Sequence, residues 1–393
     1  MDDVLIVGAG PAGAVAGVVA ARAGARVRLL DRATFPRDKL CGDTINPGTL
    51  ARLRHLGLHE EIDRHGLKVD GMILTGERGV GVVGRYPQGV WGRAVVRREL
   101  DWLLLQQALA AGCQFDEGIA VQRVVVEEIG ARRAVTGVAV GANGATRTIA
   151  APVVIAADGR RSTIAFGLGL ARHPSRPRRW AIGGYFENFL PTQSDRDAVA
   201  TELPAGCLGE MHVRRNGYIG VAPLPGGLTN VCLVKPSGPA DADLRDPSAL
   251  LTRALARDPL LRDRAAGARL AAQPVVLGPL AVDVESPTLD GLILAGDAAG
   301  FIDPMTGDGL RFAVRGGELA AAAAVHALEH GWSGVPERLA AERRREFAAK
   351  WRFNRLTRAL VASPRAVDAA TIGGQLVPRA FEALIAHAGD CYC

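Results

Sequence analysis

Lysine is scarce in this chain of 393 residues. Four are present, Lys39, Lys68, Lys235 and Lys350, among 47 basic residues. The formal net charge of +6 and the pI near 9.2 therefore rest on arginine. The arginines are scattered, with small clusters at 176–179 and 343–345. Such a pattern reads as a solvated, arginine-biased surface, and no nucleic-acid partner is expected. Cysteine is also sparse, with six residues whose spacing forms neither a disulfide framework nor paired zinc knuckles. A reducing compartment and no bound metal are the expectations. Long apolar runs are missing too: none reaches the roughly 18 residues of a membrane span. The acidic start Met1-Asp2-Asp3 runs directly into Val-Leu-Ile-Val-Gly and carries no leader pattern. A cytoplasmic protein is expected, with room for peripheral membrane contact. The charged fraction of 22% and the hydrophobic fraction of 48% exclude a disordered chain. At about 150 residues per domain, the length allows two or three folding units.

What the chain has in excess is glycine, 48 residues with no collagen period. The first block of them is informative. Val4 to Val7 is a continuous apolar run, the mark of a strand buried on both faces. It ends at Gly8-Ala9-Gly10-Pro11-Ala12-Gly13, an alanine-rich helical stretch continues to about Ala23, and Arg26 to Leu30 reads as a second strand ending at Asp31. This is a strand–helix–strand unit with Gly-x-Gly-x-x-Gly at its turn. Gly8 permits the tight turn, Gly10 lets a pyrophosphate approach the backbone, and Gly13 lets the helix pack closely on the sheet. The helix N-terminus offers free N–H groups to a phosphate. Asp31 can accept the ribose hydroxyls, with Arg32 beside it. The unit serves FAD and NAD alike.

Two further buried strands end in paired glycine and aspartate. Val153 to Ala157 runs into Asp158-Gly159, and Gly291 to Ala295 runs into Gly296-Asp297. Asp303-Pro304-Met305-Thr306-Gly307-Asp308-Gly309 follows, with a helix beginning near Leu310. Arg97-Arg98-Glu99-Leu100-Asp101 opens another helix, to about Ala111. Four motifs in this order resemble the FAD-dependent oxidoreductases with the para-hydroxybenzoate hydroxylase fold. They are most similar to the geranylgeranyl reductase-like branch, which is related to the flavin monooxygenases and flavin-dependent halogenases. The resemblance spans about residues 1–330 and selects FAD as the tightly held cofactor.

The resemblance implies roles residue by residue. Gly8, Gly10, Pro11, Ala12, Gly13, Asp31, Arg32 and Gly42 would surround the adenosine and pyrophosphate. Arg97 would lie near the pyrophosphate, and Asp297, after Gly296, would bond the ribityl chain. Pro304 and the backbone from Gly307 to Leu310, including Gly309, would face the flavin pyrimidine edge, where a helix N-terminus stabilises negative charge. Asp158 would tie the fold to the nicotinamide approach, or simply cap its turn. Asp308 is expected to point away from the flavin as a helix N-cap. Cys41, in Cys41-Gly42-Asp43, would be the catalytic candidate, a thiol positioning substrate or relaying a proton; packing on FAD is the alternative.

The middle of the chain leaves the flavin pattern. Strands are expected at 180–186, 211–213, 217–222 and 229–234, with a turn at Pro223 to Gly227 and a helix from Pro247 to Ala266. The halogenase pattern Trp-x-Trp-x-Ile-Pro would fall at Tyr218 to Pro223, which reads Tyr-Ile-Gly-Val-Ala-Pro, so halogenation is disfavoured. Gly300 stands where the aromatic hydroxylases usually carry histidine. His326 and His330 share a helix face without a third ligand. The Cys391/Cys393 pair sits in a terminal tail.

The expected architecture is α/β: an FAD-binding, Rossmann-like domain of the glutathione reductase type 2, an inserted antiparallel substrate sheet and a helical C-terminal cap. The FAD domain would take residues 1–75, 95–171 and 276–330. The substrate sheet would take 76–94 and 172–275, and the cap 331–393. The expected activity is an FAD-dependent oxidoreductase, with NADPH or NADH as transient reductant, because no second nucleotide unit exists. A hydrophobic isoprenoid or polyketide-like molecule would be reduced at a carbon–carbon double bond. Hydroxylation of an aromatic or polyketide substrate with O₂ is the alternative; a halogenase or an electron-transfer module ranks lower. Monomer and homodimer are both compatible with the chain.

Overall fold

The first strand explains the layout of the nucleotide half. β1 (Val4–Val7) is buried along its whole length. Val4 and Ile6 face one core while Leu5 and Val7 face another, as alternation along a strand requires. The structure, a computed structural model, describes residues 1–391 except 41, 78, 131, 143–144, 177, 191–206 and 216. α1 (Pro11–Arg22) follows with Pro11 in its first turn. It leads to β2 (Val27–Leu30), which pairs in parallel with β1. Together with β4 (Gln114–Asp116), β5 (Val153–Ala156) and β10 (Leu292–Leu294), they form a five-stranded parallel sheet in the order β10-β5-β1-β2-β4. α1, α2 (Arg97–Ala110) and α5 (Gly309–His330) contribute to the core on one face. A three-stranded meander over 121–150 covers the other, with Val124, Val135 and Val138 against Leu5 and Val7.

A second sheet carries the middle of the chain. Its central strands are β6 (Arg179–Glu187), β9 (Thr229–Pro236), β8 (Gly217–Pro223), β7 (Cys207–Arg214) and β3 (Leu67–Thr75), in that spatial order. The sequence implied an antiparallel sheet. β6, β9, β8 and β7 do pair that way, but β7 and β3 run parallel, with Leu208 beside Gly71. This pairing draws β3, and the short strand 44–45 beyond it, into the substrate sheet, upstream of the boundary at residue 76. The expected helix over 247–266 is two: α3 (Pro247–Arg257) and α4 (Arg262–Ala265). Asp258 precedes Pro259, which disfavours helical backbone, and it adopts an extended conformation.

Pro364 and Pro378 break the C-terminal region as expected. α6 (Val335–Val361), α7 (Pro364–Leu376) and α8 (Pro378–Ala388) each start with proline in the first turn. Val361 and Val367 join Tyr218, Val234 and Met305 in one apolar cluster, so the cap leans on the substrate sheet. Among the described residues, no helix is long and apolar enough to cross a membrane.

Candidate functional site

One cleft of about 480 Å³ joins the two halves. It opens where strands of the parallel sheet end, the usual ligand crevice of such sheets. Gly8, Gly10, Pro11, Ala12, Asp31, Arg32 and Gly42 line its nucleotide end, with Arg97 and Asp158. Asp297, Pro304, Gly307, Gly309 and Leu310 line it further along.

Three expected site residues stand behind this lining. Gly13 is a packing glycine: a Cβ there would lie 1.8 Å from the Gly8 carbonyl oxygen. Gly296 has φ +56°, and a Cβ would press on the Ala12 methyl group at 2.7 Å. Asp308 occupies the residue before α5, but its side chain makes no capping hydrogen bond. The carboxylate is buried away from the helix N–H groups, 3.5 Å from Lys350 Nζ and 3.3 Å from Asn46 Nδ2. Burial raises its pKa, and Lys350 opposes the rise. Cys41 and Cys393 lie outside the described residues.

Two helix N-termini that open on the cleft, those of α1 and α5, are uncapped. Gly10 precedes α1 with no side-chain cap, and α5 lacks one as described. Each presents backbone N–H groups and a partial positive charge. Asp31 is already engaged: Oδ2 accepts from Ala9 N–H and Oδ1 from Ala33 N–H, both at 2.9 Å. Those bonds fix the carboxylate at the end of β2 and leave lone pairs for a diol. Asp158 accepts from Thr163 N–H at 2.8 Å, so it caps its turn while also lining the cleft.

The Arg-x-x-Leu-Asp pattern has a geometric meaning. Asp101, with no solvent exposure, receives both ends of the Arg97 guanidinium at 2.7 and 2.9 Å. Arg37 reaches the same carboxylate at 3.1 Å, and its Nη2 lies 3.1 Å from where a Gly10 Cβ would be. One buried acid thus aims two guanidinium groups across the glycine turn. Lys39 and Arg160 also line the cleft. Burial and Arg97 depress the Lys39 pKa, opposed by Asp297. Burial raises the Asp297 pKa, opposed by Lys39, Arg97 and Arg160. Arg37, Lys39 and Arg160 carried no assigned role in the sequence reading. The rarity of lysine was the available signal: Lys39 lies in this cleft and Lys350 beneath α5.

Asp43 interlocks the halves. Its Oδ1 accepts from Arg97 N–H at 2.8 Å, its Oδ2 accepts from the Asn230 amide on β9, and its carbonyl accepts from Val95 N–H. Burial pushes its pKa up to about 6, against the lowering effect of those donors. At the substrate end, Tyr218 donates to Asp303 Oδ1 at 2.7 Å and Arg179 pairs with Asp303 Oδ2 at 3.1 Å. Burial, then the Asp303 charge, holds the Tyr218 pKa well above its ordinary value, so the phenol keeps its proton. Tyr218, Gly220 and Ala222 of β8 line the cleft with Asn230 and Cys232 of β9; Met72, Met211, Leu277, Phe301 and Met305 complete an apolar wall.

The family described as "FAD binding domain" matches residues 1–204, just over half of the chain. The chain belongs to that family. As a flavoprotein it is 33% identical over 334 residues to the menaquinone reductase of Mycobacterium tuberculosis, covering 81% of this chain and 75% of that protein. It is 28% identical over 330 residues to digeranylgeranylglycerophospholipid reductase 2 of Methanopyrus kandleri, covering 83% and 78%. The solved myxobacterial chondrochloren halogenase shares its fold, with TM-score 0.79, 24% identity, and coverage of 91% of this chain and 82% of that one. A flavin-dependent brominase shares it too, with TM-score 0.81 and 19% identity over 99% of this chain and 94% of that one. The flavoprotein is an FAD-dependent oxidoreductase with reductase relatives. Glycine-cleared backbone, aimed cations and uncapped helix ends fit an FAD in the cleft. Among the described residues, no group of three or more His, Cys, Asp or Glu is arranged to hold a metal ion.

Proposed function

We propose that this flavoprotein is an NAD(P)H-linked reductase that saturates a carbon–carbon double bond on a hydrophobic isoprenoid or polyketide-like molecule. The observation that carries the reading is the continuity of the cleft: it runs from the α1 N-terminus onto the floor formed by Gly220, Ala222 and Cys232, walled by Met211, Phe301 and Met305. Such a floor admits a flat ring or an unsaturated chain and offers few polar partners. The relatives named for menaquinone and for a digeranylgeranyl lipid support the substrate class.

Bound in the cleft, FAD supplies hydride-accepting and hydride-donating chemistry. The protein's own groups set where that happens. The α1 N-terminus, Arg37 and Arg97 would hold the pyrophosphate, with Gly10 leaving the approach open. Asp31 and Arg32 would hold the adenosine ribose, and Asp297 the ribityl chain. The N–H groups of Gly307 to Leu310 would stabilise negative charge on the ring. Lys350 balances the Asp308 charge behind that helix end, which would otherwise oppose reduction. Tyr218, kept protonated by burial and held by Asp303, orients the substrate from the sheet side. Cys41 adjoins this region in sequence. Cys41→Ser tests it: unchanged FAD content with reduced turnover supports a reacting thiol, and unchanged kinetics return it to packing.

The net reaction adds one hydride equivalent from NAD(P)H and one solvent proton across the double bond. The deciding assay follows NAD(P)H oxidation without O₂, using a long-chain menaquinone and a geranylgeranyl-bearing lipid. A product two hydrogens heavier is expected. Turnover that requires O₂ and places ¹⁸O in the product would replace this reading with hydroxylation. Halogenation is disfavoured by position: residues 218, 220 and 222 line the cleft, and here they are Tyr, Gly and Ala, with no indole.

A further inference from the structure

The C-terminal cap has two unlike faces. Its inner face packs behind residues that line the substrate end of the cleft: Val361 and Val367 cluster with Tyr218 and Met305, and the Thr306 hydroxyl donates to Asn354 of α6. Its outer face leaves large apolar side chains in solvent. Leu376 is 77% exposed, Leu356 71% and Val377 55%, with Ile372 and Leu384 also exposed. On α7, Arg365, Ala369, Ile372 and Leu376 recur at helical spacing and are all exposed. Isolated exposed apolar residues need no explanation, but a run of them across consecutive packed helices does.

Charge says what covers this face. From 351 to 388 the chain has five arginines, Arg352, Arg355, Arg358, Arg365 and Arg379, and two acids, Asp368 and Glu382. Among the described residues, none of these arginines joins an ion pair, unlike Arg37 and Arg97 in the cleft. Asp368 turns inward, against Gly76. Apolar side chains set among unpaired arginines are the composition of a surface that lies in a lipid interface.

We propose that the outer face of α6–α8 docks on an anionic lipid bilayer. There Leu376 and Val377 enter the acyl boundary and the arginines meet lipid phosphates. The cap, whose inner side backs the cleft-lining Tyr218, Met305 and Thr306, then rests on the phase from which an apolar molecule would enter. That last purpose rests on the reading of the cleft given above; the docking itself does not.

The test is vesicle cosedimentation of the full-length, FAD-loaded protein. Vesicles containing phosphatidylglycerol should bind it at least tenfold better than phosphatidylcholine alone, and 0.5 M salt should weaken the binding. Leu376→Glu with Val377→Glu should release the protein at least tenfold while FAD absorbance and thermal stability stay unchanged, because both side chains are already in solvent. Arg365→Gln with Arg379→Gln should remove the preference for anionic lipid. No binding to either vesicle overturns the proposal, as does equal binding to both. A dimer in light scattering that the glutamate pair converts to monomer, without vesicle binding, assigns the face to a second copy instead. A protein that binds vesicles but reduces no lipid substrate would leave docking standing and remove the catalytic reading alone.

Discussion

Lys350 Nζ lies 3.5 Å from the Asp308 carboxylate, so a residue of the C-terminal cap neutralises the residue before the helix that faces the flavin region. Lys350 also meets Asp390 at 2.9 Å and donates to the His387 and Ala388 carbonyls. The side chains of Lys350 and Asp308 are almost wholly buried. Lys350→Met should leave Asp308 unbalanced and cost about 3 kcal/mol, the usual penalty for breaking a buried pair. A fall in melting temperature, with a lower flavin reduction potential in whatever protein folds, is the expected outcome. Unchanged values would show that the Asn46 hydrogen bond suffices.

The glycines of the first turn should fail in different ways. A Cβ at Gly13 would overlap the Gly8 carbonyl, whereas one at Gly10 meets side chains alone, the far end of Arg37 at 3.1 Å and the Asp101 carboxylate at 4.0 Å. Gly13→Ala should therefore destabilise the apoprotein. Gly10→Val should fold with near-native melting and bind no FAD. Absorbance of the purified protein near 450 nm, on the order of that expected for flavin, reads the second result; a fully loaded, yellow Gly10→Val protein would refute the assignment.

Tyr218→Phe removes the hydrogen bond to Asp303 but leaves Arg179 and the Met305 N–H on that carboxylate. Stability should drop by about 1 kcal/mol. FAD content should not change, while turnover with substrate should fall. Steady-state kinetics beside a flavin titration separates the two. Equal turnover would make Tyr218 a packing residue.

Asp43 predicts a pH dependence with a definite sign. Its carboxyl is raised from an ordinary 3.8 to about 6. The folded state therefore binds more protons between those values, and this group's contribution falls as pH rises from about 4 to about 6. Two units correspond to about 3 kcal/mol at most. Asp43→Asn should remove that part, so the stability difference between variant and wild type should shift toward the variant across this interval. Urea unfolding at both ends measures it; parallel curves would mean Asp43 titrates normally.

The legible part of the fold was local. The apolar run Val4 to Val7, the glycine turn after it and Asp31 at the next strand end are read from adjacent residues, because a parallel strand, a phosphate turn and a helix start each impose their pattern within a few positions. Pro364 and Pro378 likewise marked the cap helices. The parallel pairing of β7 with β3 was not legible, since strand partners about 140 residues apart leave no local trace. Asp308 shows the same limit: its place before α5 could be read, but its partner Lys350 could not.

The arginine bias and the scarcity of lysine are properties of the sequence alone, as are the strand–turn–helix units that mark an FAD-binding chain. Only the tertiary structure decided which cations matter. Asp101 gathers Arg37 and Arg97 onto the glycine turn because it is buried and must be paired. Lys39 and Lys350, two of the four lysines, come to the cleft and to the helix beneath it through contacts that span the chain. Short-range pattern fixes elements; burial of charge, which demands a partner wherever the chain can supply one, fixes the site.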